Sequence, residues 1–336
     1  MNFDYSDDQQ AIKRTAHDLL VARFKPDTVR ELAEAERYDD AHWSELCELG
    51  WPGIFIDEAY EGQGLGTVEL VILLEELGYT LAPVPFLSNA AAGLAIQYAG
   101  SDEQKDAHLK GIATGGERGT VGTLKNGVAA LVPDADSAKV IVFLDGDEAV
   151  LHHAKDCDIQ ALETIDQTRR YSRVVPGGDG EILPGDVGAA TDRMAVAASA
   201  ELVGASQRVM EMAVEYARDR KQFDRPIGAY QAVAHRCADM LRETESARSA
   251  TLWAAWAAEA EPETLPLASS MAKSLASDAG WNVTSWALQV HGGIAFTWEH
   301  DLHFFLKRAK VDGSLFGSAR THRDRVADLN GLGAAA

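Results

Sequence analysis

Basic residues, cysteine and long apolar runs are what this 336-residue sequence has least of. Lys and Arg number 31 against 52 Asp and Glu, a formal net charge of −21. Such a balance excludes non-specific attachment to nucleic acid or to anionic membrane surfaces. Any partner that is itself an anion must then meet a locally basic patch. The three cysteines, Cys47, Cys157 and Cys237, are too scattered for a disulfide framework or a zinc pattern and fit a reducing cytosol. The longest uncharged stretch, 77–101, is broken by Pro83, Pro85, Asn89 and Gln97. Its apolar run falls short of the roughly 20 residues of a membrane span. The opening MNFDYSDDQQ is acidic and polar and reads as no secretory signal. A cytoplasmic protein is therefore expected, with no nucleic-acid or membrane partner. What is abundant is apolar: 46% of the residues, ample for a sizeable core in two or three domains or one large one.

The texture of the chain changes twice, which predicts domains at 1–115, 116–187 and 188–336. The first part reads as helices. Ser6 is a plausible N-cap for a helix whose Ile12, Ala16, Leu19 and Leu20 share a face, and AHWSELCELGW and TVELVILLEELGY give two more amphipathic helices, ended by Gly50 and Gly78. The glycine-rich loop DEAYEGQGLG, 57–66, reads foremost as a chain turn and only weakly as a phosphate cradle. From about Thr120 to Asp186, the runs VAALV, KVIVFLDG, EAVLHH and YSRVV are short and Val/Ile-rich, the pattern of strands. His152 and His153 are adjacent at a strand end, so they point to opposite faces and make no metal site. After Ala189, an alanine-rich helix of about 30 residues, two further long ones and a fourth beginning at LHFFLKRAK predict an antiparallel four-helix bundle. Gly292–Gly293 ends the third, and the tail GLGAAA reads as frayed. The expected class is α+β, mainly α: an N-terminal helical domain, a small β domain and a C-terminal bundle.

In RDRKQFDR, 218–225, Arg218, Arg220, Lys221 and Arg225 crowd four cations into eight residues of an acidic chain. A solvated helix end explains the charges alone equally well, and a cation there also complements the helix dipole. Their company points further. A guanidinium fork suits a pyrophosphate, Phe223 can stack on a flat ring, Gln222, Gln231 and Gln289 offer amides, and Gly293 leaves backbone bare for close approach. Those groups suit the anionic half of a dinucleotide. A second basic group comprises Lys307, Arg308, Lys310, Arg320, Arg323 and Arg325. The two groups mark the expected cofactor site and subunit interface, since charges act locally over a Debye length of about 8 Å. Glu299, beside His300 and Asp301 at a helix start, reads as a capping residue rather than a catalytic acid.

The stretches 213–240 and 287–310, with 49–79 and the order helical, β, helical, resemble the acyl-CoA dehydrogenase family of flavoenzymes. The resemblance covers nearly the whole chain. It implies that Arg220, Gln222, Phe223, Gln231, Gln289 and Gly293 hold the adenine and pyrophosphate of FAD, reaching across a subunit interface to a neighbour's flavin. It also implies an acyl-CoA thioester substrate, from which a carboxylate takes the α-proton while the β-carbon delivers hydride to the flavin. Here the chain departs from the family pattern. Phe316 stands where the usual Glu would be, Met194 stands at the alternative position on the long helix, and neither accepts a proton. Glu201, seven residues past Met194, lies about 10.5 Å further along the axis, too far to be the same base. Asp192 and Asp312 remain as substitutes through local rearrangement. The segments that wrap the flavin ring in the family have no counterpart between Gly115 and Pro133, so the β domain is trimmed.

Three readings follow from the resemblance. The favoured one is a subunit of a mixed oligomer, largely silent in its own site, that completes the FAD site of a longer homologue carrying the Glu. The second is a self-sufficient homo-oligomeric dehydrogenase with a non-standard base. The third is a flavin-free scaffold or CoA-thioester binding protein. Trimmed subunits of heterotetrameric bacterial members resemble enzymes of lipid or steroid degradation, which act on bulky, ring-bearing CoA thioesters.

Overall fold

Ser6 opens the first helix, α1 (Asp7–Arg23), through a capping box: its hydroxyl accepts from the Gln9 N–H while the Gln9 side chain accepts from the Ser6 N–H. The computed structural model describes residues 4–333. The first three residues of the opening segment and 334–336 of the expected frayed tail lie outside the described residues. The chain divides into two compact units.

One unit comprises Glu31–Leu70 and Pro83–Ala197. It contains α3 (Asp40–Glu48), α5 (Phe86–Ala99), α6 (Asp102–Ala113) and seven strands: β1 (Gly119–Lys125), β2 (Val128–Pro133), β3 (Val140–Asp145), β4 (Glu148–His153), β5 (Asp158–Leu162), β6 (Tyr171–Val175) and β7 (Glu181–Ile182). They form one sheet in the order β5-β6-β2-β1-β3-β4-β7. The β1–β3 pair is parallel and the other pairs are antiparallel. The expected apolar runs become β2, β3, β4 and β6, while β1, β5 and β7 were not read from the pattern. The β1–β2 hairpin turns at Asn126 and Gly127, both with positive φ (54° and 75°), the Asn-Gly pair that such two-residue turns favour. Ile141, Phe143, Val132 and Val174 are fully buried in the sheet's core. Asn89, itself buried, ties helix to sheet: its amide donates to the Ile112 carbonyl (3.2 Å) and its oxygen accepts from the Gly119 N–H (3.0 Å). In the 57–66 loop, a Cβ on Gly62 would overlap the Ile56 carbonyl, and Gly64 has φ 64°. The glycines turn and pack the chain there.

The other unit comprises the residues up to Arg30, Val71–Ala82 and the chain from Ala198 onward. Three helices, α2 (Pro26–Glu34), α4 (Thr67–Thr80) and α7 (Val187–Asp219), pass from one unit into the other. This second unit also holds α8 (Gln231–Ala260), α9 (Leu265–His291), α10 (Leu302–Asp312) and α11 (Ala319–Leu329). The expected long helices are thus present at 33, 30 and 27 residues, whereas the fourth has only 11 and is followed by a fifth.

One helix end is corrected. α4 does not stop at Gly78 but runs on to Thr80, and it is buried all round from Leu70 to Gly78 rather than amphipathic. Gly78 is a contact point: a Cβ there would meet the Glu201 carbonyl, and one on Gly204 would meet the Glu75 carbonyl. Two glycines therefore let α4 and α7 cross with backbones in contact. Alanines do similar service between α8 and α9, where Ala247, Ala254, Ala268, Ala272 and Ala276 are all 0% exposed. No helix among the described residues is long and apolar enough to cross a membrane.

Candidate functional site

The basic motif forms a tight hairpin at one end of the bundle. After α7, strands β8 (Lys221–Gln222) and β9 (Arg225–Pro226) pair with Gln222 opposite Arg225. The two turn residues are Phe223 (φ 52°) and Asp224 (φ 63°), both left-handed, as a two-residue turn of this type demands. A phenylalanine pays steric strain in that conformation, and here it is 88% exposed. Tyr230 braces the hairpin from below: its hydroxyl donates to the Gln222 carbonyl (3.1 Å) and its ring lies 3.9 Å from the Arg225 guanidinium carbon. The Ile227 N–H bonds back to the Arg220 carbonyl (2.8 Å). No hairpin is legible at this motif because Phe-Asp lacks the usual Asn or Gly.

The other expected residues gather at the same end. Tyr216, near the C-terminus of α7, stacks on His291, the last residue of α9, with centroids 4.4 Å apart. Arg236, in the second turn of α8, lies 4.5 Å from the Trp286 ring near the end of α9. These contacts bring the tail of α7, the head of α8 and the tail of α9 together. Arg220, Gln222, Phe223, Gln231, Gln289 and Gly293 are all exposed there. Gly292 takes φ 69°, and neither it nor Gly293 has an atom within 4 Å of where a Cβ would be. Cations, an aromatic face, amides and bare backbone thus share one solvent-facing end. Its donors fit a pyrophosphate and its ring fits adenine, presented outward.

Behind this end lies a cluster of histidines and aromatic rings that the sequence did not reveal. His303 stacks on Trp298 (4.7 Å, 14°) and abuts Phe304, and His300 meets His291 edge-on at 4.8 Å. Burial first, then Lys307 and Arg30, push the His303 imidazole down to about 4. Burial also lowers His291 and His300. Glu299 is corrected: it is exposed, the N-cap position of α10 belongs to Asp301, and that carboxylate takes the Arg30 guanidinium instead of a helix N–H.

Glu201 and the two expected substitutes for a base, Asp192 and Asp312, are all enclosed. Glu201 (3% exposed side chain) pairs with Arg308 (1%) at 2.8 Å, so its carboxylate serves the α7–α10 contact. Arg308 accordingly drops out of the second basic group. Within that group, Arg320 and Arg323 also face carboxylates, Asp324 at 3.8 Å and Asp278. Asp192 and Asp312 are 2% and 0% exposed. Met194 is fully buried, and Phe316 is half-buried with φ 54°.

The loop bearing Phe316 is fixed from both sides. His322 Nε2 meets the Phe316 carbonyl at 2.9 Å. Lys273, 0% exposed, donates to the Ser277 hydroxyl (2.9 Å) and to the carbonyls of Asp312 (3.1 Å) and Gly313 (3.2 Å) at the end of α10. Burial pushes its ammonium down to about 8, against the opposing pull of Asp312. A lone lysine among small residues in SSMAKSLAS was the available signal for this buried brace.

Two family models match the chain: "Acyl-CoA dehydrogenase, N-terminal domain" over residues 6–116 and "Acyl-CoA dehydrogenase, C-terminal domain" over 188–329. The chain is 34% identical to the acyl-CoA dehydrogenase IpdE2 of Mycolicibacterium smegmatis, covering 96% of this chain and 98% of that protein. It is 32% identical to IpdE2 of Mycobacterium tuberculosis, covering 94% of each. Among solved structures, it resembles the ChsE4-ChsE5 complex from Mycobacterium tuberculosis, with a TM-score of 0.88, 25% identity and 100% of both chains covered. A steroid acyl-CoA dehydrogenase variant, Tcur3481-Tcur3483, gives a TM-score of 0.88 at 26% identity, covering 98% of this chain and 99% of that one.

Proposed function

The chain belongs to the acyl-CoA dehydrogenase family, and on that premise we propose that it is the trimmed subunit of a mixed oligomer, completing the FAD site of a longer homologue that carries the catalytic Glu. The reaction served is the family's FAD-dependent α,β-dehydrogenation of an acyl-CoA thioester. FAD supplies the hydride acceptor when bound. This chain's part is to grip the far end of that cofactor: Arg220 on the pyrophosphate, Phe223 against adenine, Gln222, Gln231 and Gln289 as amide contacts, and Gly293 as bare backbone. Its organisation is a helical part to 115, a small β part over 116–187 and a bundle from 188, working in the cytoplasm. The substrate class is a bulky, ring-bearing CoA thioester, in keeping with a steroid acyl-CoA dehydrogenase and a two-protein complex among its structural neighbours.

One observation carries the reading. The hairpin holds Phe223 in a strained conformation at 88% exposure, a cost that a partner's cofactor docking against the ring explains. The residues Phe316 and Met194, unable to move a proton, support the division of labour. Purified alone, the chain is expected to lack a visible flavin spectrum and to gain one on assembly with its partner. Yellow protein with one FAD per chain, in a homo-oligomer bleached anaerobically by acyl-CoA, would instead establish self-sufficiency. Arg220→Ala should lower FAD content of the assembled complex several-fold, because a charge-assisted contact to a dianionic group is lost; unchanged flavin stoichiometry sinks the assignment.

A further inference from the structure

The His152–His153 pair has no part in the flavin reading. As strand geometry requires, the two rings lie on opposite faces. His152 is 9% exposed, with its ring edge-on to Phe143 at 5.4 Å and Nδ1 3.1 Å from the Gly177 carbonyl. His153 is exposed on the other face, where its ring meets that of His108 from α6 at 5.9 Å.

Those two imidazoles line a cleft of about 710 Å³ together with Ser137, Lys139, Lys155 and Glu117, within the usual size range of small-molecule sites. Neither Lys139 nor Lys155 forms an ion pair among the described residues. Of the carboxylates in the lining, Asp136 is taken by Arg170 at 2.8 Å, which leaves Glu117 against two ammonium groups. His108 is only 8% exposed, and its Nδ1 is buried without a hydrogen-bond partner. A buried polar atom with nothing to bond is costly and rare. The His108 ring that carries it is part of the wall of a cleft rimmed by cations, in a chain of net charge −21.

We propose that this cleft binds a phosphate monoester dianion, with Lys139 and Lys155 supplying charge and His108 and His153 supplying N–H donors. Tetrahedral oxygens can accept from several of these groups at once, which is the geometry that charge-assisted donors around a cavity serve. The His108 imidazole supports the assignment from another side. Burial and then His153 lower its affinity for a proton, while Glu181 and Glu117 act in the opposite sense. A dianion bound in the cleft would act in the same sense as those carboxylates and favour the protonated imidazole. The metal alternative is weak, since no three His, Cys, Asp or Glu among the described residues are placed to hold an ion. The inference stands independently of the flavin reading.

The dianion has two sources, a free phosphorylated small molecule or the phosphorylated nucleotide end of a coenzyme. Imidazole resonances of His108 and His153, in the full chain near pH 7.5, would be followed on titration with inorganic phosphate and, separately, with adenosine 3′,5′-bisphosphate. Sodium chloride at matched ionic strength is the control. Saturable resonance shifts at both histidines are expected, with the lowered His108 pKa raised in the bound state. The Lys139→Gln/Lys155→Gln double variant, with unchanged thermal stability, should weaken binding roughly tenfold or more. Tighter binding of inorganic phosphate assigns the first source, and tighter binding of the bisphosphate the second. No saturable shift with either probe, shifts equalled by chloride, or shifts that survive in the double variant would overturn the proposal.

Discussion

Phe223 and Phe316 both adopt positive φ, at 52° and 54°, yet their surroundings differ. Phe223 stands clear of the protein, while the chain around Phe316 is anchored by His322 on one side and Lys273 on the other. Strain at a bulky residue persists only where neighbours over-determine it, and each has such neighbours: Tyr230 under the first, the buried lysine and His322 around the second.

The histidine cluster gives a prediction at this same scale. The His303 pKa is about 4 in the folded protein against an ordinary value near 6.5. Between those values the unfolded chain binds more protons, so stability falls as pH drops from about 6.5 to 4. The lowered His291 and His300 act in the same direction. His303→Phe should flatten this acid limb in chemical denaturation followed across pH; an unchanged slope refutes the account. The motif residues of the candidate site were legible in the sequence because cations, amides and glycines announce themselves. The histidine cluster was not, since the His303 imidazole is shifted by burial first and then by Lys307 and by Arg30, and the burial and the approach of Arg30 come only from the tertiary fold.

Among elements, α7 carries the most consequences. It crosses α4 at Gly78 and Gly204 and reaches α10 through the Glu201–Arg308 pair. Arg308→Met breaks the buried pair with Glu201 and should cost about 3–5 kcal/mol in urea denaturation. The double change Glu201→Leu/Arg308→Met should recover much of that loss; a double variant as unstable as the single would contradict the ion-pair explanation. The helices α1, α3 and α7 to α10 were readable from their sequence patterns, whereas α2, α5, α6 and α11 were not singled out. Gly78 misled because a glycine near a helix end has two uses, cap and crossing point. Its sequence neighbours do not distinguish them, whereas the Glu201 carbonyl beside it does. The β5 strand was missed for a related reason: its residues are half-exposed or exposed, so no apolar run marks it.

For the molecule as a whole, the formal charge of −21 is a surface property with local exceptions. The exposed hairpin cations are one. The lysines of the phosphate cleft are another, while Arg308 is spent inside. Self-repulsion of so acidic a chain is screened by salt, with the Debye length falling from about 30 Å at 0.01 M to about 8 Å at 0.15 M. The midpoint of thermal unfolding should therefore rise over that range of sodium chloride. A flat or falling midpoint would mean that paired surface charges, not net repulsion, dominate.

The way the two units are cut from the chain has a consequence for how the protein is made. The bundle unit draws on three separate segments, and Glu75 is held there by Lys13 and by Arg248, the latter 173 residues away in sequence. Contacts this distant close slowly, because loop entropy must be overcome before they form. On the ribosome, residues 71–82 have no bundle to join until α7, α8 and α9 have been synthesised. The buried α4, with its run Leu70–Leu74 and the carboxylates Glu75 and Glu76, therefore waits for helices that are made only from Val187 onward. During that interval it is the segment most in need of a chaperone's cover.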